Sequence, residues 1–396
     1  MAKHKKTESE VLRVYQKENP SAYKIENDVK EYKLRKDFQE NLFLYRLNFP
    51  PKMFENAELL EFGTGTGEHS LSYLKWGSLC TFVEMNVHAC KRAEKIFSSF
   101  APDQAQYKIQ NKSLFDFRST RKYDIVVSMG VIHHTADKRE AFDVKSQYLK
   151  KGGFLILGIG NSAGMFQRNL QRAILYRLAD SEEQIVSLAN ELFSGFLDRA
   201  EKYGRRSRKS IIYDNLVNPK DNHPSTSEVL EWFSENNLNL YSAWPPIIPA
   251  VLGDPADRSP LQYEELKSVL SIPEIIFLTH TDDDIDYLRI FEKEVSTAKM
   301  GVNDLAQMLN DVMPDTQLDL GEMKKKINSL LGAKWQINPY TQYISMLKQL
   351  LKETSNVLDL LEAGRIEDLK RCICDSKVLF RGTSGVGMNW YVGYKA

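Results

Sequence analysis

Cysteine is scarce in this chain, and neither sign of charge dominates. Its 396 residues include only 4 Cys, too few for the disulfide framework of a secreted scaffold. Lys and Arg number 53, as do Asp and Glu, so no overall basic field attracts nucleic acid or an anionic membrane. We therefore expect a protein of the reducing cytoplasm that binds neither nucleic acids nor membranes.

Long apolar runs are also missing. The most apolar stretch, residues 244–252, is short and contains three prolines, so no segment is predicted to span a bilayer. The first residues are charged and no apolar run follows them, so no secretory signal is expected. Cys372 and Cys374 are too few to hold zinc, and helix capping explains the acids 282–284 beside His280. No metal site is predicted.

Short apolar runs alternate with helical patterns in the first half of the chain. Strands are predicted at 59–62, 80–84, 107–109, 123–128 and 153–159, and helices at 68–76, 89–100 and 138–149. Gly152-Gly153 is predicted to form a turn that ends the last helix and starts the fifth strand. This alternation predicts an α/β fold with a doubly wound parallel sheet.

Helical patterns flank this region on both sides. Residues 8–47 have one, as do residues 251–377 almost throughout, whereas 238–244 and 388–394 have strand patterns. We expect an N-terminal helical segment (1–50), a core with a substrate lid (51–250), a helical insertion (251–377) and a C-terminal strand (378–396). The insertion would separate the last two strands, which would pair antiparallel.

Three glycines, Gly63, Gly65 and Gly67, follow the first predicted strand. A dinucleotide-binding fingerprint would require glycine at position 68, where this chain has Glu68. Glu61 would repel a pyrophosphate but attract an ammonium group, and Glu84 at the end of the second strand can accept two ribose hydroxyl hydrogens. The pattern favours a nucleoside that carries a charged amino acid.

Segments 59–67, 82–86, 123–134 and 149–156 together resemble class I S-adenosylmethionine-dependent methyltransferases. They look most like the small-molecule branch that contains ubiquinone- and menaquinone-type enzymes (methyltransferase types 11 and 12). The resemblance implies a Rossmann-like, seven-stranded sheet and S-adenosylmethionine as cofactor. It also implies an enzyme that transfers a methyl group to an O, N or C atom of a small-molecule acceptor.

The resemblance also implies roles for individual residues. Residues 61–65 would hold the methionine end of the cofactor, Glu84 the ribose and Met85 the adenine, with residues 128–131 around the sulfonium. Lys112 occupies a region where the family often has an acid, which weakens the adenine contact next to it. The implied cofactor-binding residues are Glu61, Gly63, Thr64, Gly65, Gly67, Glu84, Met85, Ser113, Leu114, Ser128, Met129 and Gly130.

Catalytic and acceptor-binding candidates follow the fourth and fifth strands. His134, and after it His133, could serve as a general base, although paired histidines here could equally hydrogen-bond loops. Arg168 and Arg172 are one helical turn apart, so they could bind an anionic acceptor or form a solvated helix face. The acceptor-binding candidates are Asn161, Arg168, Arg172, Tyr213 and His223.

Two other functions remain open at this point. One is a nucleic-acid or protein methyltransferase, although the fourth strand lacks the N-P-P-aromatic motif of enzymes that methylate DNA amino groups. The other is a non-catalytic scaffold of the same fold that binds a partner through residues 251–377. That insertion could also serve as an acceptor lid or as the interface of a homo-oligomer.

Overall fold

The computed structural model describes residues 2–18, 25, 28–204, 206–247, 292–313, 318–332, 341–380 and 388–396. Its centre is a seven-stranded sheet in the order β3-β2-β1-β4-β5-β7-β6. Among the described strands, β7 pairs antiparallel with both β5 and β6, and the other neighbouring strands are parallel. The strands are β1 (Glu58–Phe62), β2 (Leu79–Glu84), β3 (Tyr107–Asn111), β4 (Tyr123–Met129), β5 (Leu149–Gly160), β6 (Leu238–Trp244) and β7 (Met388–Lys395). The α/β, Rossmann-like fold predicted from the sequence is confirmed.

The parallel strands are apolar because helices cover both faces of the sheet. In β4, Ile125, Val126 and Val127 are almost completely buried. One hydrophobic core contains Phe142, Trp232 and Tyr391, and a second core contains Phe43 and Phe97. The covering helices are α2 (Val29–Asn41), α3 (Leu71–Lys75), α4 (Val87–Phe100), α5 (Lys138–Ser146) and α10 (Thr226–Glu235).

The antiparallel pairing predicted for 238–244 and 388–394 is confirmed. β6 and β7 are in register from Leu238 opposite Lys395 to Trp244 opposite Trp390. β7 also pairs with β5, from Phe154 opposite Tyr394 to Gly160 opposite Met388. β7 therefore lies between β5 and β6, although it follows them both in the sequence.

Several predicted element boundaries are wrong, including the end of the helix predicted at 138–149, which the structure places at Ser146. β5 begins at Leu149, so Gly152 and Gly153 lie inside the strand, next to a register irregularity with β4. A Cβ atom on Gly153 would lie 2.7 Å from the carbonyl oxygen of Asp124, so this irregularity requires a glycine. The helix predicted at 68–76 is only Leu71–Lys75, because the glycine loop extends into its first turn.

A second layer is entirely helical and has a core of its own. It combines helices that follow β5 with helices of the predicted insertion, and Val14 of α1 (Ala2–Lys17) packs into it. No helix in the described parts of the chain is long and apolar enough to cross a bilayer. The helices are α6 (Phe166–Leu178), α7 (Glu182–Leu192), α8 (Ser194–Gly204), α9 (Arg208–Ile212), α11 (Glu292–Asn310), α12 (Leu320–Gly332), α13 (Thr341–Glu362) and α14 (Ile366–Asp375).

Some predictions concern residues that the structure does not describe. Residues 251–291 lie outside the described ranges, so the helical pattern there and the interpretation of His280 and the acids 282–284 are not addressed. The N-terminal pattern at 8–47 corresponds to α1, α2 and a π-helical turn, Leu42–Arg46. Cys372 is partly buried, Cys374 is exposed, and neither is part of a disulfide bond.

Candidate functional site

A cavity of about 430 Å³ lies at the carboxyl ends of β1, β2 and β4, where doubly wound sheets bind their ligands. α1, α2 and β7 close it. Ten of the predicted site residues line it: Gly63, Gly65, Glu84, Met85, Leu114, Met129, Gly130, His133, His134 and Arg168. A larger depression of about 740 Å³ between α1 and α5 contains none of them.

The glycine spacing has a packing explanation. Gly63, Gly65 and Gly67 have φ values of +79°, +57° and +88°, in the left-handed region that side chains rarely adopt. A Cβ atom on Gly63 would lie 2.2 Å from Cγ2 of Val131. On Gly67 it would lie 3.0 Å from Cα of Ala93 in α4. The loop therefore packs closely against the end of β4 and against α4, which leaves the Gly65 backbone beside the cavity.

Glu84 at the end of β2 is held by two backbone amides. The N–H of Gly65 donates to Oε2 at 2.9 Å, and the N–H of Asn86 donates to Oε1 at 2.8 Å. Burial raises the pKa of this carboxyl, while the two amides lower it. Each carboxylate oxygen can accept more than one hydrogen bond, so Glu84 can also accept the hydroxyls of a vicinal diol in the cavity.

Glu61 in β1 lies beneath the glycine loop and does not line the cavity. The hydroxyl of Ser70 donates to its carboxylate. Burial raises the pKa of Glu61 to about 7, the bond from Ser70 lowers it in part, and the charge of Glu84 raises it further. A cation bound on the loop would favour the ionised form of this carboxyl.

Only some of the residues predicted to contact the adenine and the sulfonium line the cavity. Met85, Leu114, Met129 and Gly130 line it, whereas Thr64, Gly67, Ser113 and Ser128 do not. The hydroxyl of Ser113 donates to Glu8 of α1. Nζ of the buried Lys145 donates to Oγ of Ser128 at 2.7 Å, and burial holds the pKa of Lys145 well below its usual value. Both serines therefore support the walls of the cavity.

His134 has one ring nitrogen fixed by the loop that precedes α10. Its Nδ1 lies 2.6 Å from the carbonyl oxygen of Lys220 and 3.3 Å from Nδ2 of Asn218. A carbonyl oxygen can only accept, and it is the closer partner, so Nδ1 carries a hydrogen and Nε2 keeps its lone pair. This tautomer gives His134 a free hydrogen-bond acceptor.

Most of the predicted acceptor-binding residues lie outside the cavity lining. Nδ2 of Asn161 donates to Asn389 at 2.6 Å, and Tyr213 is buried. Arg172 is buried and donates to the carbonyl oxygens of Asn215 at 3.1 Å and Asn218 at 2.8 Å, so it is not on a solvated helix face. His223 is fully buried, with its Nε2 2.9 Å from Oδ1 of Asp221. Arg168 alone of these candidates lines the cavity.

Several residues that line the cavity carry no motif in the sequence. They belong to elements far apart in the chain, and only the fold brings them together. Asp221 had one possible signal, since it precedes His223 by two residues in a segment without helical periodicity. The residues not predicted include Tyr15 of α1, Arg35 and Phe38 of α2, His69, Arg206, Asp221 and Trp390 of β7.

Comparison with known proteins points to one domain type. Residues 34–193 match a family model described as a methyltransferase domain. No match is found among curated proteins.

Solved structures resemble parts of the chain at low identity. An S-adenosylmethionine-dependent methyltransferase from Clostridium acetobutylicum is 18% identical over 33% of this chain and 49% of its own, with a TM-score of 0.25. PKMT2 from Rickettsia typhi is 18% identical over 56% of this chain and 45% of its own, with a TM-score of 0.40. The N-methyltransferase NodS from Bradyrhizobium japonicum, solved with S-adenosylhomocysteine, is 17% identical over 41% and 74%, with a TM-score of 0.29.

The present chain spans less than half the length of the first two of these structures, and their overlap with it is too small to carry an argument about function. The assignment therefore rests on the family match, together with the sheet order and the loop between β1 and α3. Residues 34–193 therefore match a methyltransferase domain, and the sheet that contains them has the α/β, Rossmann-like architecture.

Proposed function

We propose that this chain is an enzyme that transfers a methyl group from S-adenosylmethionine to an O, N or C atom of a small-molecule acceptor. The main support is the carboxylate of Glu84, which two backbone amides fix at the edge of the cavity beside the glycine loop. A rigid carboxylate at the end of the second strand is suited to ribose hydroxyls. S-adenosylmethionine carries no phosphate, so the glycine loop does not need a phosphate-binding group.

The cofactor would lie along the loops that follow β1, β2 and β4. Glu84 would accept the ribose hydroxyls, and Met85 and Leu114 would pack against the adenine. The backbone at Gly63 and Gly65 would contact the methionine end. Glu61 lies beneath this loop, so its negative charge would attract the ammonium group, which would in turn favour its ionised form.

The acceptor would lie at the other end of the cavity, among Tyr15, His134, Arg168 and Trp390. The cofactor supplies an electrophilic methyl group, so the protein has to align the acceptor and exclude water. Nε2 of His134 is available to accept a hydrogen bond from an acceptor hydroxyl or amine. Since α1 and α2 cover this end, a small molecule fits better than a macromolecule.

Calorimetric titration with S-adenosylhomocysteine tests the cofactor assignment. Glu84→Gln replaces a charged acceptor by a neutral one and should weaken binding about 10- to 100-fold, as for hydrogen bonds to charged groups. Glu94→Gln is the control, since Glu94 is exposed on α4 and outside the cavity. If the wild-type protein shows no affinity, or if both variants bind equally well, this assignment is wrong.

A second experiment tests the class of acceptor. The protein is incubated with S-adenosylmethionine carrying a radioactive methyl group and with separated small-molecule, protein and nucleic-acid fractions of a cell extract. We expect the label in the small-molecule fraction. Label in the protein or nucleic-acid fraction would show instead that α1 and α2 move aside for a macromolecule.

A further inference from the structure

Three buried side chains converge at the acceptor end of the cavity. His133 follows β4, whereas Asp221 and His223 lie in the loop before α10, and at most 6% of each residue is exposed. One ligand atom from each lies within 4.8 Å of the others. Oδ1 of Asp221 is 2.9 Å from Nε2 of His223 and 4.0 Å from Nε2 of His133.

Several buried polar atoms of this cluster lack hydrogen-bond partners. Within the described part of the chain, Oδ2 of Asp221 and Nδ1 of both His133 and His223 have no hydrogen-bond partner. Oδ1 of Asp221 and Nε2 of His223 have only each other among the described residues, at 2.9 Å. Buried polar groups are rarely left without partners, because the loss of water then costs free energy. The 2.9 Å approach of Asp221 to His223 alone does not account for the cluster.

We propose that His133, Asp221 and His223 bind a divalent transition-metal ion. Two imidazoles and one carboxylate suit Zn²⁺, Mn²⁺ or Fe²⁺, whereas Mg²⁺ and Ca²⁺ prefer oxygen ligands. Ligands about 2.1 Å from one ion are roughly 3.0–3.5 Å apart when adjacent. The 2.9 Å separation fits this arrangement, and the 4.0 Å separation requires His133 to move towards Asp221 when the ion binds.

The surrounding backbone holds this cluster in place. A Cβ atom on Gly160 would lie 2.4 Å from Nδ1 of His223, so the end of β5 has to be glycine to leave room for this ring. The carbonyl oxygen of His133 accepts from the N–H of Asn222 at 2.9 Å. That of His223 accepts from Nδ2 of Asn310, in α11, at 2.7 Å. The ligands are therefore fixed from three parts of the chain, as a preorganised site requires.

The position of the cluster suggests what the ion would do. His133 and Asp221 line the cavity, so an ion held there has open positions directed at the acceptor. Arg168 lines the same end, which favours an acceptor with negative charge. The role of the ion rests on the proposed methyltransferase function. An ion at this position narrows the class of acceptor to small molecules with a hydroxyl group and a second oxygen that can chelate the ion.

The reaction then balances without a further reagent. The acceptor hydroxyl coordinates the ion, and the ion lowers the pKa of this hydroxyl. The hydroxyl proton then passes to water. The oxygen attacks the methyl carbon, so an O–C bond forms while the bond from that carbon to the sulfonium sulfur breaks. The products are the methyl ether and S-adenosylhomocysteine.

Metal binding is tested directly, without the acceptor. The full chain is stripped with a chelator and titrated by calorimetry with Zn²⁺, Mn²⁺ and Mg²⁺. We expect one equivalent of Zn²⁺ or Mn²⁺ to bind at least 100-fold more tightly than Mg²⁺. Asp221→Asn and His223→Asn should each weaken this binding at least 10-fold, since each removes a ligand. His88→Gln, which changes an exposed histidine of α4 outside the cavity, should leave metal binding unchanged.

Two further measurements keep the outcomes separate. X-ray absorption at the zinc edge of the wild-type protein should show two imidazole ligands, even if a variant does not fold. Binding of S-adenosylhomocysteine without uptake of Zn²⁺ or Mn²⁺ would overturn the metal site and leave the methyltransferase proposal intact. Metal binding that persists in both ligand variants would also overturn it. Metal binding that is lost in them, with no S-adenosylhomocysteine affinity in the wild type, would support the site and refute the proposed function.

Discussion

Glu61 and Glu84 lie on neighbouring parallel strands, but they differ in their hydrogen-bond donors and in their position relative to the cavity. Glu84 faces the cavity, with backbone amides on both carboxylate oxygens. Glu61 is enclosed beneath the glycine loop, where a hydroxyl is its hydrogen-bond donor. At the scale of the residue, the first can bind a ligand by contact. The second acts through its charge, and that charge depends on pH.

The burial of Glu61 predicts a pH-dependent loss of stability in the ligand-free protein. Its folded-state pKa is about 7, above the ordinary 4.5, so the folded state keeps a proton that the unfolded state has released. Stability should therefore fall as the pH rises from about 4.5 to 7, by up to about 3 kcal/mol for a shift of this size. Glu61→Gln should remove this fall in chemical unfolding at pH 5 and pH 8. Glu94→Gln is the surface control, and an unchanged slope in Glu61→Gln would contradict the prediction.

Arg168 and Arg172 lie one turn apart on α6 but should respond differently to substitution. Arg172 donates to two buried carbonyl oxygens, so Arg172→Gln should lower the free energy of unfolding by about 2–4 kcal/mol. Its affinity for S-adenosylhomocysteine should stay within about twofold, because Arg172 does not line the cavity. Urea unfolding and calorimetry measure the two effects. Arg177→Gln, on the exposed face of the same helix, is the control and should change neither quantity. A large loss of affinity in Arg172→Gln would show instead that Arg172 takes part in ligand binding.

At the scale of the element, one carboxylate connects α13 to the segment after α14. Glu353 in α13 accepts the N–H groups of Lys377 at 2.8 Å, Val378 at 3.0 Å and Leu379 at 2.7 Å. Burial raises its pKa, but Gln349 and these amides lower it more, so the net shift is downward. Glu353 therefore holds residues 377–379 against α13.

Glu353→Gln should therefore destabilise the protein more than an ordinary change of a surface acid. The amide has one acceptor oxygen and no charge, so we expect a loss of about 2–3 kcal/mol in the free energy of unfolding. Glu367→Gln in α14 is the matched control, because its pair with Lys370 is exposed and should contribute under about 1 kcal/mol. Equal losses in the two variants, measured by urea unfolding at pH 7, would refute the role of Glu353.

The sequence predicted the elements whose local pattern agrees with their environment. The buried runs of β1, β2 and β4 and the pairing of β6 with β7 are of this kind. β5 was predicted to start four residues too late, because Lys150 and Lys151 with two glycines disrupt the apolar pattern of a strand. Lys150 reaches Glu58 at 2.8 Å and Asp124 at 2.9 Å across the sheet end, and such a tertiary contact is invisible to local patterns.

The site was predictable only where its residues belong to the glycine loop or to strand ends. Glu84 and Gly65 carry a motif, and they meet in the cavity as the motif implies. Tyr15 and Trp390 lie hundreds of residues apart, and nothing in either segment indicates a ligand. The cluster at Asp221 was missed because Asp-x-His is too short to stand out, and its third member is His133.

At the scale of the whole molecule, the helical layer and the sheet are tied together by side-chain amides. Nδ2 of Asn310 in α11 donates to the carbonyl oxygen of His223 at 2.7 Å, and Nδ2 of Asn218 donates to the hydroxyl of Tyr15 in α1 at 3.2 Å. His223 and Asn218 lie in the loop before α10, and Asn222 of the same loop donates its N–H to the carbonyl oxygen of His133 after β4 at 2.9 Å. Helices before β6 and after it share one hydrophobic core. The two layers should therefore unfold as one cooperative unit.

Leu350→Ala tests this cooperativity. Leu350 is completely buried in α13, so the substitution should cost about 2–5 kcal/mol. In a Trp335→Phe background, the remaining tryptophans Trp76, Trp232, Trp244 and Trp390 lie in the sheet or beside it, so their fluorescence reports on the sheet, whereas circular dichroism reports on the helices. Both transitions should move together to lower denaturant, with Met300→Ala as the exposed control. A shift in circular dichroism alone would show that the helical layer is an independent domain.

The place of β7 in the sheet also has a consequence for how the protein is made. Its two neighbours are complete more than 140 residues before it emerges from the ribosome. At ordinary elongation rates of about 5–20 residues per second, β5 and β6 wait on the order of 10–30 s with open edges. Open edges are sites of aggregation, so the nascent chain should depend on chaperones that shield strands until translation has passed residue 395.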